Sequence, residues 1–544
     1  MSGASVADTA LTDPQLRRSI AATLLPGFVG TTLPEWLAQR LREGLGGVCL
    51  FGQNIASAPQ LRALTDAIYA ANPDAIVAID EEGGDVTRLY YESGSPYPGN
   101  AILGRLGDPG YTESVARRVG EELRGAGVNL DFAPDIDINS NPDNPVIGVR
   151  SFGSSPEVVA EHGAAWTRGL QSAGVAVAAK HFPGHGDTGT DSHLELPVVD
   201  LSAAQLRERE LVPFRAVIAA GARAVMTSHI LLPQLDAVLP ATLSPAIIEG
   251  MLRGELGFEG VVVSDALDMH GASGDRGIPE AAVLALAAGC DLLCIGTENT
   301  DAELAAIEAA IAAALAAGRL APSRLATAAS RVRTLARGLA SSAPVPATVE
   351  STISARSHGA ARAVSADSTV GGSGIEAEDV AAAQRAFDVS AYAEEWVLRH
   401  GGGRYSVVRI DTVANIAVGT APWGPFSAIE ADPTTPAVAA FTANPAVLFT
   451  EGDHPDLVLA AQSPVLVIGK DNHRHAFARA AIDRLRAERQ EVLVVDMGWP
   501  SDDRAYADIA TFGASRLVGK ALLAFLGDRR GLGLGLADGP GHGS

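Results

Sequence analysis

From Leu24 to about Gly296, short β-branched apolar runs alternate with longer stretches whose apolar positions recur at helical spacing. LLPGFVG, GVCLFG, AIVAID, VNLDFAPDID, VAVAAKHFPG, ARAVMTSHI, VVVSDAL and DLLCIG predict strands. PEWLAQRLREGL, QLRALTDAIYAA, ESVARRVGEELRGAG, VVAEHGAAWTRGLQSAG and RERELVPFRAVIAAG predict amphipathic helices between them. Several of these helices end in Gly just before the next strand, which is the expected C-cap into a buried strand. Strand and helix alternating eight times predict an α/β fold, a (β/α)8 TIM-like barrel occupying residues 1–340. An open doubly wound sheet is the alternative, but no GxGxxG follows the first strand.

The second half changes character. Helical AELAAIEAAIAAALAAGRL and SRLATAASRVRTLARGLA give way to a Ser/Ala/Pro/Gly-rich tract, which predicts a linker over 341–374. YSVVRI, AVLFT, PVLVIGK and EVLVVDM then predict strands, interleaved with HAFARAAIDRLRAERQ and ASRLVGKALLAFL as helices. A smaller C-terminal α/β sandwich domain is therefore expected over 375–544, its last residues frayed.

Composition adds exclusions. With 47% hydrophobic residues there is material for a large core, and 64 acidic against 41 basic residues argue against nucleic acid as a partner. No cationic start precedes an apolar run and no charge-free stretch is long enough to span a bilayer. A cytoplasmic protein with no membrane partner, acting as a monomer or homodimer, is the expectation. Three cysteines are too few for a disulfide framework, and CDLLCIG reads as a buried strand in which Cys290 and Cys294 pack as small apolar residues.

Chemistry collects at the carboxyl ends of the predicted strands, where barrel enzymes build their sites. AIVAID ends in Asp80, followed by Glu81 and Glu82; VNLDFAPDID ends in Asp135 and Asp137. VAVAAKH ends in Lys180 and His181, ARAVMTSH in Ser228 and His229, and VVVSD in Ser264 and Asp265. A carboxylate such as Asp265 behind Val261-Val262-Val263 is costly unless paired or functional, the bland reading being a helix cap. The segment Lys180 to His193 carries three histidines, two aspartates and three glycines in fourteen residues. It reads as a mobile loop that carries a group to the site. Asp191 and His193, one residue apart, could pair so that the carboxylate fixes the imidazole tautomer, which makes His193 a candidate proton carrier. A metal site from His181, His185, Asp187, Asp191, His193 and His229 is the competing reading, opposed by the positive charge of Lys180; no metal and no cofactor are expected.

The motifs IDEEGGDVTRL, NLDFAPDIDIN, IGVRSFG, KHFPGHGDTGTDSHLELP, MTSHI, LPATLS and GFEGVVVSDALDM, spread over about 79–269, resemble glycoside hydrolase family 3, specifically its bacterial β-N-acetylglucosaminidase branch. The resemblance departs at Asp85, where the family commonly carries Arg. It implies Asp265 as nucleophile and His193, paired with Asp191, as general acid/base. It further implies that Asp80, Arg88, Arg150, Lys180 and His181 hold the sugar. An exo-acting, retaining cleavage of terminal β-linked N-acetylglucosamine follows, with small carbohydrates as partners; wall-recycling fragments and chitin-derived disaccharides both fit. Retention needs a nucleophile and a nearby acid/base, ordinarily two carboxyls about 5 Å apart. Imidazole in place of one carboxylate removes a negative charge from the acceptor side. Inorganic phosphate is therefore an alternative acceptor to water, which would make the enzyme a β-N-acetylglucosaminide or β-glucoside phosphorylase.

Overall fold

The computed structural model describes residues 13–189, 196–340, 372–413, 415, 417–454, 464–489 and 491–527. The chain divides into two compact units, Met1–Thr369 with Ala414–Ala421, and Val370–Val413 with Pro422–Ser544. Most of the linker expected over 341–374 lies outside the described residues.

The first unit is a nearly closed parallel barrel. Its strands are β1 (Leu24–Leu25), β2 (Gly47–Leu50), β3 (Ile76–Ile79), β4 (Leu130–Asp131), β5 (Ala176–Phe182), β6 (Ala224–Thr227), β7 (Val261–Ser264) and β8 (Leu292–Cys294). They pair in the order β1-β8-β7-β6-β5-β4-β3-β2, and a Cys49 N–H to Pro26 carbonyl bond of 2.9 Å bridges the remaining seam. Alternation along each strand sorts the apolar residues into two sets, as period-2 geometry requires. Leu25, Ile76, Ala78, Ala176, Ala178 and Val263 face the barrel interior. Leu24, Val77, Ile79, Val177, Val225 and Val262 join the layer under the helices. Helix Pro322–Ala340 contributes Val332, Leu335, Ala336 and Leu339 to the interior cluster and so seals apolar surface inside the barrel. Cys49, Cys290 and Cys294 are buried free thiols.

One expected helix divides. RERELVPFRAVIAAG supplies the end of helix Ala203–Glu208 and then helix Leu211–Ala219, broken at Arg209, whose guanidinium binds Asp187 at 2.6 Å and Glu210 at 2.5 Å. Pro213 sits in the first turn of the second piece, where its missing N–H costs nothing.

The second unit holds a six-stranded sheet of β9 (Asp388–Val389), β10 (Ser406–Asp411), β11 (Ala446–Thr450), β12 (Val465–Gly469), β13 (Val492–Asp496) and β14 (Ile509–Ala510). The order is β11-β10-β12-β13-β14-β9, parallel except for the β14–β9 pair. Val408, Ile410, Val465, Val467, Val492 and Val494 pack one face against Ile482 and Leu485 of helix Ala476–Glu488. The two-residue strands β9 and β14 are too short to show a period. Among the described residues no helix is long and apolar enough to cross a membrane.

Candidate active site

At the carboxyl end of the barrel lies a cavity of about 660 Å³ bordered by Asp80, Lys180, His181, Arg150 and Asp265. Its floor is a buried chain of alternating charges. Arg88 lies 3.7 Å from Asp80; Asp80 accepts from Lys180 Nζ at 2.6 Å; Lys180 reaches Glu82 at 2.8 Å. Glu82 receives Arg150 through two bonds, Nε at 3.0 Å and a terminal nitrogen at 2.7 Å, and Arg150 stands 3.4 Å from Asp135. The last link is His181, whose Nδ1 meets Asp137 at 2.6 Å.

Three consecutive carboxylates after β3 thus have three tasks. Asp80 faces the cavity beside Lys180. Glu81 turns away, and its Oε2 accepts from the Thr87 hydroxyl and from the N–H groups of Arg88 and Leu89 at 2.9, 2.9 and 3.0 Å, so it shapes the turn that presents Arg88. Burial pushes Glu81 up to about 7 despite those bonds. Glu82 anchors the two cations: burial alone would raise its pKa, but Arg150 and then Lys180 hold it far below the carboxylate range. Two adjacent carboxylates behind an apolar strand were the available sign of Glu82, which sequence reasoning passed over as a site residue.

Asp135 and Asp137 form a second coupled pair. Burial first, then the neighbouring Asp137, raise Asp135; burial would raise Asp137 too, but His181 and His185 together hold it below the usual carboxylate value. Burial would lower His181, and Asp137 overrides it, so His181 is raised. The Asp137 bond assigns the imidazole proton to Nδ1, a carboxylate–histidine clamp that fixes ring orientation.

Asp265 follows β7. Its Oδ1 accepts from the Ala266 N–H at 2.8 Å and its own N–H points to Thr227 Oγ1 at 3.4 Å. His229 bonds the Ala266 carbonyl at 2.9 Å through Nε2, so it steadies the backbone beside Asp265.

The segment Lys180 to His193 is not one loop. Lys180 and His181 belong to β5, and the residues that follow are pinned: His185 N–H donates to Asp137 at 2.7 Å, and Asn144 Nδ2 holds the carbonyls of His185 and Gly186 at 2.9 and 3.0 Å. Gly186 is there for close approach, because a Cβ would fall 1.6 Å from the Ile138 carbonyl oxygen. Substituting Gly186→Ala is expected to cost about 3 kcal/mol in a chemical denaturation series, the overpacking cost of a site with no room to relax; a change under about 0.5 kcal/mol would contradict the close-approach role. Asp191 and His193 lie outside the described residues.

In the competing metal-ligand set, two of the described members have other partners. Asp187 is taken by Arg209 and His229 by the Ala266 carbonyl. Among the described residues the group that does converge is Asp135, Asp137 and His181, within 4.8 Å, and Arg150 already stands beside it.

A cavity at the carboxyl ends of parallel barrel strands, lined by carboxylate and cationic side chains, is where a barrel enzyme carries its active site. The model of the Glycosyl hydrolase family 3 N terminal domain matches residues 29–335. The Beta-hexosaminidase A of Pseudoalteromonas piscicida is 40% identical over 285 residues, 48% of this chain and 48% of that one, so this chain spans about half of that relative. The Beta-hexosaminidase of Stenotrophomonas maltophilia (strain K279a) is 40% identical over 283 residues, 50% of this chain and 82% of its own. Over both units, the solved glycoside hydrolase family 3 beta-N-acetylglucosaminidase from Paenibacillus sp. str. FPU-7 superposes with a TM-score of 0.79 at 30% identity, covering 94% of this chain and 96% of that one. The chain belongs to glycosyl hydrolase family 3 and is a glycoside hydrolase.

Proposed function

We propose that the protein is an exo-acting, retaining β-N-acetylhexosaminidase that removes terminal β-linked N-acetylglucosamine. The observation that carries the reading is that Asp265 and the Asp80–Lys180–Glu82–Arg150 network line one and the same cavity. Asp80, Arg88, Arg150, Lys180 and His181 bind the sugar's hydroxyl and acetamido groups. Asp265 attacks the anomeric carbon, and the bond to the leaving oxygen breaks as that oxygen takes a proton from His193, which Asp191 orients. His193 then accepts a proton from water, whose oxygen displaces Asp265 with a second inversion and net retention. The names of the curated relatives and of the Paenibacillus structure support the N-acetylhexosaminide class.

An aryl N-acetyl-β-glucosaminide, followed by proton NMR with and without phosphate, tests the reading. The β-anomer of the free sugar is expected first, at a rate indifferent to phosphate. Appearance of a sugar 1-phosphate would replace the hydrolase by the phosphorylase, and first release of the α-anomer would remove the double displacement.

A further inference from the structure

Asn415 and residues 417–421 follow β10 in the chain yet belong with the barrel unit, and they lie outside the residues that match the family model. Ala417 and Gly419 border the cavity. We infer that this strap is a positioning device for sugar binding, in which Asn415 locks the Ala417 carbonyl where it holds Arg88 against Asp80. The inference deepens the hexosaminidase reading and rests on Arg88 binding the sugar.

The geometry is complete at both ends of the strap. Asn415 Nδ2 donates to the carbonyls of Pro145 and Val146, each at 3.0 Å, which fixes the amide's orientation because both partners are acceptors. Its Oδ1 accepts from Ala417 N–H at 2.9 Å, and its carbonyl accepts from Val418 and Gly419 at 3.1 and 2.8 Å. One side chain therefore shapes a tight turn and fastens it to the loop after β4. That turn presents the Ala417 carbonyl to Arg88 at 2.9 Å, nearer than Asp80 at 3.7 Å. The Val146 carbonyl that Asn415 grips also accepts from Arg150 at 3.2 Å, so the strap is tied to both arginines of the floor. At the far end, Thr420 N–H points to the Tyr91 hydroxyl at 3.3 Å. Gly419 adopts φ 76° there, and a Cβ on it would meet that hydroxyl at 2.7 Å. Glycine is required at 419 on both counts.

A guanidinium with one carboxylate at 3.7 Å and no second acceptor would sample several rotamers, and substrate would have to order it on binding. The strap supplies the second acceptor in advance. Loss of the strap should therefore weaken binding and leave the chemical step alone, since Arg88 makes or breaks no bond in the proposed reaction.

Kinetics of wild type, Asn415→Ala, Arg88→Ala and the double variant on an aryl N-acetyl-β-glucosaminide test this. Asn415→Ala is expected to raise KM about tenfold, the worth of one hydrogen bond to a charged group, with kcat within about twofold. In the Arg88→Ala background the same change should have a clearly smaller effect, limited to what passes through Val146 to Arg150. An unchanged KM, or an equal factor in both backgrounds, overturns the positioning role while leaving the hexosaminidase reading intact. An Arg88→Ala enzyme with unaltered KM would instead reject Arg88 as a sugar ligand, and the inference with it. Asn415→Asp keeps the acceptor for Ala417 but turns repulsive oxygen toward the Pro145 and Val146 carbonyls; it should raise KM alike, and it decides the matter if the alanine variant does not fold.

Discussion

Replacing Asp265 with alanine is expected to lower kcat by a factor on the order of 10⁴ to 10⁶ while leaving the protein folded, the scale on which removal of a nucleophile acts in covalent catalysis. The asymmetry between activity and stability comes from its position. Asp265 sits just beyond β7 at the cavity, only partly buried, with its Oδ1 bonded to the adjacent Ala266 N–H. His229 at Ala266 and the hydrogen bonds of Leu267 and Asp268 N–H to the carbonyls of Cys294 and Ile295 keep the backbone in place without the carboxylate. The emptied space should admit azide, which attacks from the nucleophile's side and gives an α-glycosyl azide from a β-linked aryl glycoside. A 2-fluoro sugar that traps the wild-type enzyme should leave its label on Asp265 and none on the alanine variant. Retention of more than about a tenth of kcat would remove Asp265 from the nucleophile's role.

Much of this site was legible because a parallel barrel brings the same end of every strand to one face. A polar residue closing an apolar run, such as Asp80, Lys180 or Asp265, is thereby placed without knowledge of any contact. What stayed hidden was partner choice. Glu82 and Arg150 are 68 positions apart, and no local pattern says that Glu82 binds two cations while Glu81 turns to the Arg88 loop. Asp135 and Asp137 were visible as strand-end acids, but their division into a raised and a lowered group depends on His181 arriving from the next strand. Glycine serves mobility and close approach equally, so the sequence could not show that Gly186 is there for the Ile138 carbonyl beside it. The strap was invisible because it acts through a backbone carbonyl at Ala417, in a stretch with no reactive side chain to attract notice.

Glu82→Gln should be the most destabilising of the floor substitutions, by about 3 to 5 kcal/mol in urea denaturation near neutral pH, the cost of unpairing a buried charge. The variant keeps the shape and removes the charge that both cations share. Lys180 is 2% exposed and would keep Asp80 as its paired carboxylate; Arg150 is 6% exposed and would keep the Val146 carbonyl and Asp135, a group that burial and Asp137 already bias toward its neutral form. Two buried cations with fractional compensation leave the folded state, since unfolding lets water solvate them. The pH dependence carries the sign. Glu82 in the folded protein lies far below its ordinary value of 4.5, so the unfolded chain takes up a proton at higher pH than the native one. Its stabilising effect is therefore fully present above about pH 5 and disappears as pH falls toward the folded value. The gap between wild type and Glu82→Gln should be level from about pH 5.5 to 8 and close only in acid. A gap under about 1 kcal/mol, or one that widens as pH falls from 6 to 4, would show that Glu82 is not the charge on which Lys180 and Arg150 depend.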